Sequence, residues 1–509
     1  MVYIIKDIID SAKGYARPPK EELGNAVNKV KKAIDDRDIA LVQGPPGTGK
    51  TTIFEHTIND ILDSLSKEEI LLYIAPTNQL VADMLKRVAA IYRYKGKINE
   101  IKRELRIYGS QFKYDEYTDL NKRIDDDVRL VLTTTYQRNY FTQSKDIYML
   151  VDEASKSPLY QPFITMTGDL INVIGRLRLK SICVIGDPKQ AITLGSDYKG
   201  KGKDLLIMNA LIKGLLQQKG ITINNNEDII KLAKANLPTF EFLDITYRMP
   251  KPTHEAVSQA FYEGLLNAKD DVSNRVKDLN ECYNKNIARA ISTIDDKFKK
   301  AVNIIENAIS TNRGMIYIEI KGTYKPDNYG FNYEPERGEA GIYLATCLSA
   351  ITGRRTMVLT TYSDQWLQMQ LKFERDILPK VRNYNQLIND LITFSTVDKQ
   401  IGSEEDIVVC ILGKEYYSNK EQPTRYYSEP ELLNVQLTRH KRLLCIIGNL
   451  QKLRHKAREL NQSTRTSDYK EVAVVAETML KQAGLELCGK KFQRIRKDTD
   501  CIYEKWSNS

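Results

Sequence analysis

The chain has 509 residues, 42% of them hydrophobic and 28% charged, with a formal net charge of +10. That length exceeds one compact core and suits two or three domains. No apolar run approaches the roughly 18 residues of a membrane span, and Lys6 and Asp7 interrupt what would be the apolar part of a signal peptide, which argues against membrane insertion and secretion. Seven scattered cysteines without a CxxC pair, beside only four histidines, exclude an ordinary zinc ribbon or finger. A soluble intracellular protein with reduced thiols is expected, and its positive charge is compatible with a polyanionic partner without establishing one.

In chain order, short β-branched runs predict strands over Ile39–Gln43, Ile70–Ala75, Leu130–Thr134, Ile147–Val151 and Ile182–Ile185. A second set follows over Met315–Glu319, Thr356–Thr360, Ile392–Thr396, Ile407–Ile411 and Leu444–Ile447. Helical patterns separate them, so two α/β units with parallel sheets in series are expected. Asp270–Thr311 is polar and helix-prone without the Gly/Pro density of a flexible linker. It reads as helical packing or an insertion on the second unit.

The first strand runs into Gly44, Pro45, Pro46, Gly47, Thr48, Gly49, Lys50, Thr51 and Thr52, and apolar Ile53, Phe54, Ile58 and Ile61 follow at helical spacing. This is a phosphate-binding loop in its strand–loop–helix context. Glycines allow backbone N–H groups and the helix start to face phosphate oxygens, Lys50 supplies a point charge, and Thr51 offers a hydroxyl to Mg²⁺. ATP and Mg²⁺ are the expected cofactors. The strand ending Val151-Asp152-Glu153 supplies the acidic partner, Asp152 to hold Mg²⁺ and Glu153 to position and polarise the attacking water. A third apolar strand ends in Gly186-Asp187-Pro188-Lys189-Gln190, leaving Gln190 placed to sense a γ-phosphate.

With these motifs the chain resembles superfamily 1 helicases, in the branch of the nonsense-mediated-decay helicase. The resemblance rests on Gln43 before the loop, Ala75-Pro76-Thr77-Asn78-Gln79, Asp152-Glu153-Ala154-Ser155, Gly186 to Gln190, and Tyr247-Arg248-Met249-Pro250 with Phe261 to Gly264. It continues through Thr396-Val397-Asp398 with Gly402, Glu404 and Asp406, and Asn434 to Arg439. It implies two tandem RecA-like domains with helical insertions: 1–245 with a basic helical insertion at 84–128, and 246–455 with a helical insertion at 266–312. Residues 456–509 would then be a basic C-terminal extension. It further implies that Tyr247 stacks on the nucleotide base, that Arg248 and Arg439 reach the γ-phosphate across the cleft between domains, and that Glu404 contacts the ribose or couples the domains. Such an arginine stabilises transition-state charge once the domains close.

The implied activity is an ATPase and helicase that moves 5′ to 3′ on single strands of DNA or RNA, or on partly duplex substrates, and works as a monomer. A translocase or remodeller that does not separate duplexes would carry the same residues, and an ATP-gated clamp is the alternative outside the motors. Pro76, Thr77, Asn78, Thr134, Thr361 and Thr396 are the implied strand contacts. Three positions depart from the family pattern: Ile401 stands where a glutamine is usual, with Gln400 displaced by one, Leu432 replaces an arginine, and only Asn25 and Asn28 offer amides upstream of Ile39. Cysteine/histidine-rich modules of some relatives have no counterpart before the loop, so a nearly minimal motor is expected. Finally, Met84 to Tyr114 holds nine basic and two acidic residues, a net of +7, with five interleaved aromatics. Lys95, Lys97, Lys102 and Arg103 in this segment are expected to track phosphates while bases stack on the rings, or else to lie on a solvated helix pair whose aromatics pack inward.

Overall fold

The computed structural model describes residues 2–12, 23–137, 145–162, 178–190, 204–223, 229–321, 333–400, 403–413, 429–464, 469–488 and 491–506. The chain divides into two compact units, 1–188 with 192–243, and 244–509 with 189–191. The first is built on seven strands: β1 (Ile39–Gln43), β2 (Glu69–Ala75), β3 (Leu105–Tyr108), β4 (Leu130–Thr134), β5 (Asp146–Val151), β6 (Leu179–Gly186) and β7 (Phe240–Phe242). Their order is β3-β4-β2-β5-β6-β1-β7, with every pair parallel.

Parallel strands covered on both faces need continuous apolar runs rather than alternation, and β2 shows why. Leu71, Tyr73 and Ala75 face a core shared with α1 (Gly24–Asp35), α2 (Lys50–Ile61) and α3 (Asn78–Tyr94), whereas Ile70, Leu72 and Ile74 face a second core with α4 (Ile207–Gln218). Each helix buries a stripe at i, i+3 and i+4 spacing, as in Val81, Met84, Leu85, Val88 and Tyr92 of α3. A doubly wound sheet follows, with its loops after the carboxyl ends of the strands.

The second unit has six parallel strands: β8 (Met315–Glu319), β9 (Thr356–Thr360), β10 (Ile392–Thr396), β11 (Glu405–Ile411), β12 (His440–Gly448) and β13 (Cys501–Lys505), in the order β10-β9-β11-β12-β8-β13. The helix α5 (Pro335–Thr352) begins with proline in its first turn, ends at Gly353 in the left-handed region, and is buried along most of its length. From its first turn the fully buried Arg337 donates to the carbonyls of Ile320 (3.2 Å), Leu412 (3.1 Å) and Gly413 (2.7 Å). One guanidinium thereby fixes the exits of β8 and β11. Among the described residues, no helix is long and apolar enough to cross a membrane.

Three expectations about organisation change. The segment 84–128 is not an added insertion: its first residues belong to α3, and Leu105–Tyr108 is an edge strand of the sheet paired with β4. The charges around Leu105-Arg106-Ile107 hide that strand in the sequence, yet Arg106 is buried and bonded to Asp125 (2.6 Å) and to backbone carbonyls. Residues 266–312 form helices whose Leu279, Ile291, Phe298 and Ile305 belong to the second core, so helical packing describes them. The end of the chain is likewise no extension, because β13 pairs with β8 and sends Ile502 into that core, with Trp506 beside it.

This placement has a measurable consequence. Ile502 is 4% exposed, so Ile502→Ala should destabilise the second unit by about 2–4 kcal/mol. Urea unfolding should show the transition of the second unit moving to lower denaturant and that of the first unchanged. A midpoint shift within error would mean that the C-terminal strand is dispensable to the fold.

Candidate functional site

The phosphate loop leaves β1 at Gly44, whose N–H donates to Gly186 O on β6 (2.9 Å). Thr48 closes the loop by donating to Pro45 O (2.8 Å), and Gly49 caps α2 with φ +93°, a conformation that side chains resist. Gly44, Pro45, Pro46 and Thr48 are buried, whereas Gly47, Gly49, Lys50, Thr51 and Thr52 retain exposure. A helix start leaves the N–H groups of its first residues without acceptors inside the helix, and here those residues are Lys50 and Thr51. The chemistry suits phosphate oxygens. Lys50 Nζ donates to Gly44 O (2.9 Å) and stands 3.8 Å from Glu153 Oε1.

At the end of β5, Asp152 and Glu153 sit where the loop needs them. Asp152 Oδ2 accepts from Thr51 Oγ1 (3.4 Å) and from the hydroxyl of Tyr73 on β2 (2.9 Å), while its Oδ1 accepts from Glu153 N (2.8 Å). Burial, then the neighbouring Glu153 carboxylate, push the Asp152 carboxyl up to about 6. A divalent cation would relieve that repulsion, and the hard oxygens of Asp152 and Thr51 fit Mg²⁺, which takes one or two protein ligands and leaves the rest to phosphate and water. Glu153 adopts φ +48°, an uncommon backbone state of the kind that concentrates at functional sites. The turn that follows brings Lys156, 6% exposed, to 3.1 Å from Glu153 Oε2. Tyr73 and Lys156 were not singled out in the sequence. A hydroxyl inside an otherwise apolar strand was the one available signal for Tyr73.

The end of β6 is knitted to both neighbours. A Cβ on Gly186 would lie 2.7 Å from Ser155 N, so only glycine permits the approach. Asp187 N donates to Ser155 Oγ (3.0 Å), and the Asp187 carboxylate accepts from Gln43 Nε2 (3.5 Å). Gln43, expected at the nucleotide, is thus buried in this contact. Gln190 is buried too, in the 189–191 segment that groups with the second unit.

In the second unit, Arg248, Glu404 and Arg439 converge at the amino ends of β11 and β12. Arg248 donates to Glu404 Oε2 (2.6 Å) and Thr438 O (3.1 Å), and Lys441 Nζ lies 2.9 Å from Glu404 Oε1. Burial alone would raise the Glu404 carboxyl, but Arg248 and Lys441 outweigh it and hold it low. Arg439 is 1% exposed and donates to Val435 O (3.0 Å), Ser403 O (3.3 Å) and Thr438 Oγ1 (3.2 Å). Beside it, burial takes His440 down to about 3, so the ring is neutral where it meets Thr253 Oγ1 at 2.7 Å. Tyr247 is half-buried, and its carbonyl accepts from Arg275 (2.9 Å). Next in the chain, Lys441 pairs with Glu404, and Arg442 pairs with Asp406 and with Asp278 (3.0 Å). Ile401 and Gly402 lie outside the described residues.

The expected strand contacts fare less well. Thr134, Thr361 and Thr396 are at most 6% exposed, which withholds their hydroxyls from a passing phosphate in this conformation. Thr77 is exposed but caps α3 through Leu80 N (3.4 Å), between half-buried Pro76 and Asn78. In the basic segment each of the four expected cations has a neighbour within the unit. Lys95 and Lys97 both hold Asp63 (2.9 Å each), Arg103 meets Glu104 (3.2 Å), and Lys102 lies over the Tyr117 ring at 4.6 Å. Tyr92 and Phe112 are buried and Tyr114 packs against the same core, Tyr108 is half-buried, and Tyr94 is 67% exposed.

Most of the chain is similar to known proteins. One AAA-domain family model matches residues 24–316 and a second matches residues 227–451. Helicase sen1 of Schizosaccharomyces pombe is 22% identical over 83% of this chain and 28% of its own length. The DNA polymerase alpha-associated DNA helicase A of the same yeast is 21% identical, over 84% of this chain and 64% of its own. The regulator of nonsense transcripts 1 homolog of Neurospora crassa is 23% identical, over 87% and 38%. The chain therefore spans less than two thirds of each of these relatives. Since a domain model covers more than half of its residues, this chain belongs to the AAA-domain family, as a superfamily 1 helicase of the nonsense-mediated-decay-helicase-like branch.

Proposed function

We propose that the chain is an ATP-dependent nucleic-acid helicase that translocates 5′ to 3′ on single strands, with Mg²⁺ as its metal. The observation that carries the reading is the meeting of Lys50, Thr51, Asp152 and Glu153 at the carboxyl ends of β1 and β5. Bound Mg²⁺ would neutralise charge on the β- and γ-phosphates. Lys50 binds the same oxygens, Asp152 and Thr51 hold the metal, and Glu153 positions and polarises water. Glu153 is shared by Lys50 and Lys156, which hold its carboxylate in place. Arg248 and Arg439 supply the cations that stabilise charge developing at the γ-phosphate, Gln190 senses that phosphate, and Tyr247 stacks on the base. DNA or RNA serves as the track, met by Pro76, Thr77 and Asn78 after β2 and by Thr134, Thr361 and Thr396, and the chain acts as a soluble monomer.

Separate substitutions test the separate roles. Lys50→Ala should weaken ATP binding, whereas Glu153→Gln should keep ATP bound and abolish turnover, read by equilibrium binding beside steady-state hydrolysis. Hydrolysis by Glu153→Gln at near the parent rate would remove Glu153 from the mechanism.

Arg439→Ala should lower kcat by on the order of a thousandfold with much smaller loss of ATP affinity. The hydrogen bonds of Arg439 to its own unit make the contrary result informative. Equal losses in binding and turnover, with a lowered melting temperature, would make it a structural arginine. Strand displacement on substrates with a 5′ or a 3′ overhang tests unwinding and direction together.

A further inference from the structure

Strand β2 reads Glu69-Ile70-Leu71-Leu72-Tyr73-Ile74-Ala75, and Tyr73 carries the one hydroxyl within it. The side chain is fully buried. A buried phenol must find an acceptor, and this one donates to Asp152 Oδ2 at 2.9 Å. Its ring is wedged edge-on against Phe54 of α2, with centroids 6.1 Å apart and planes at 87°. The backbone supports the same contact, since Asp152 N donates to Ile74 O (2.8 Å). Tyr73, Thr51 and the Glu153 N–H therefore fix the Asp152 carboxylate from three directions.

We propose that Tyr73 is a positioning residue for the metal: its hydroxyl locks the Asp152 carboxylate in the rotamer that presents an oxygen beside the Thr51 hydroxyl. The inference rests on the reading of Asp152 as the carboxylate that holds Mg²⁺. Tyr73 itself touches neither metal nor nucleotide and acts through Asp152 alone. Hydrogen-bond partners that orient a metal ligand are worth on the order of 10- to 100-fold in metal affinity. A tyrosine kept only to fill the core would be replaced by phenylalanine without that loss.

Tyr73→Phe keeps the ring and removes the hydroxyl. Binding of a fluorescent ATP analogue, titrated with Mg²⁺ and repeated in chelator, reads the metal step without relying on turnover. The Mg²⁺ concentration for half effect should rise on the order of 10- to 100-fold, while metal-free binding stays within about twofold, as expected of a site that does not share the partner. Phe54→Leu, which loosens the ring without removing the hydroxyl, should keep the parent's Mg²⁺ dependence. In an Asp152→Asn background, Tyr73→Phe should add almost nothing, because its route is gone. Unchanged Mg²⁺ dependence in Tyr73→Phe, or the same shift with Asp152 already replaced, would overturn the inference. A parent protein whose nucleotide binding ignores Mg²⁺ would overturn the metal assignment of Asp152, and the role of Tyr73 with it.

Discussion

The close contact of the β6 exit with the Asp-Glu turn is the constraint on which the site depends. At Gly186 there is no room for a side chain, because Ser155 N already occupies the space a Cβ would need. That approach lets Ser155 Oγ hold Asp187 N, and it leaves Gly186 O to hold Gly44 N at the start of the phosphate loop. Three strand ends thereby become one rigid piece. Preorganisation of this kind keeps the geometry from having to be assembled at the moment of reaction.

A rigid site of adjacent acids carries an electrostatic cost. Asp152 is raised because it is buried next to Glu153, and the protein offsets this with Lys50 and Lys156 around Glu153 and with a hydroxyl pair on Asp152. Removal of any one of these partners leaves a buried charge less well compensated, which is costlier than the original pairing was favourable. The second unit solves the converse problem. Its half-buried Arg248 and buried Arg439 are held by Glu404 and by the backbone carbonyls of Thr438, Val435 and Ser403, so the guanidinium positions are specified by contacts within the unit.

Strands buried on both faces were legible in the sequence because continuous β-branched runs have no other stable use. β1, β4, β8 and β9 begin and end where their residues predict, and so does β10, although it lies at an edge of its sheet with Thr393 exposed. The edge strands β3, β7 and β13 escaped, since each is short and at least partly polar, and pairing with a neighbour rather than local pattern makes it a strand. The phosphate loop and the Asp-Glu pair were readable because their chemistry is local. Tyr73 and Lys156 depend on how a strand and a turn pack, which residue type alone does not encode. The partners of the basic stretch were hidden for a related reason. Charge counted along the chain does not reveal that Asp63, Glu104 and Asp125 lie opposite Lys95, Lys97, Arg103 and Arg106.

The most direct test of the account is steady-state ATP hydrolysis by the purified chain with Mg²⁺, measured without nucleic acid, with single-stranded DNA and with single-stranded RNA. The account predicts a slow basal rate that at least one of the two strands stimulates strongly. A rate indifferent to both, or no hydrolysis under any of the three conditions, would contradict it.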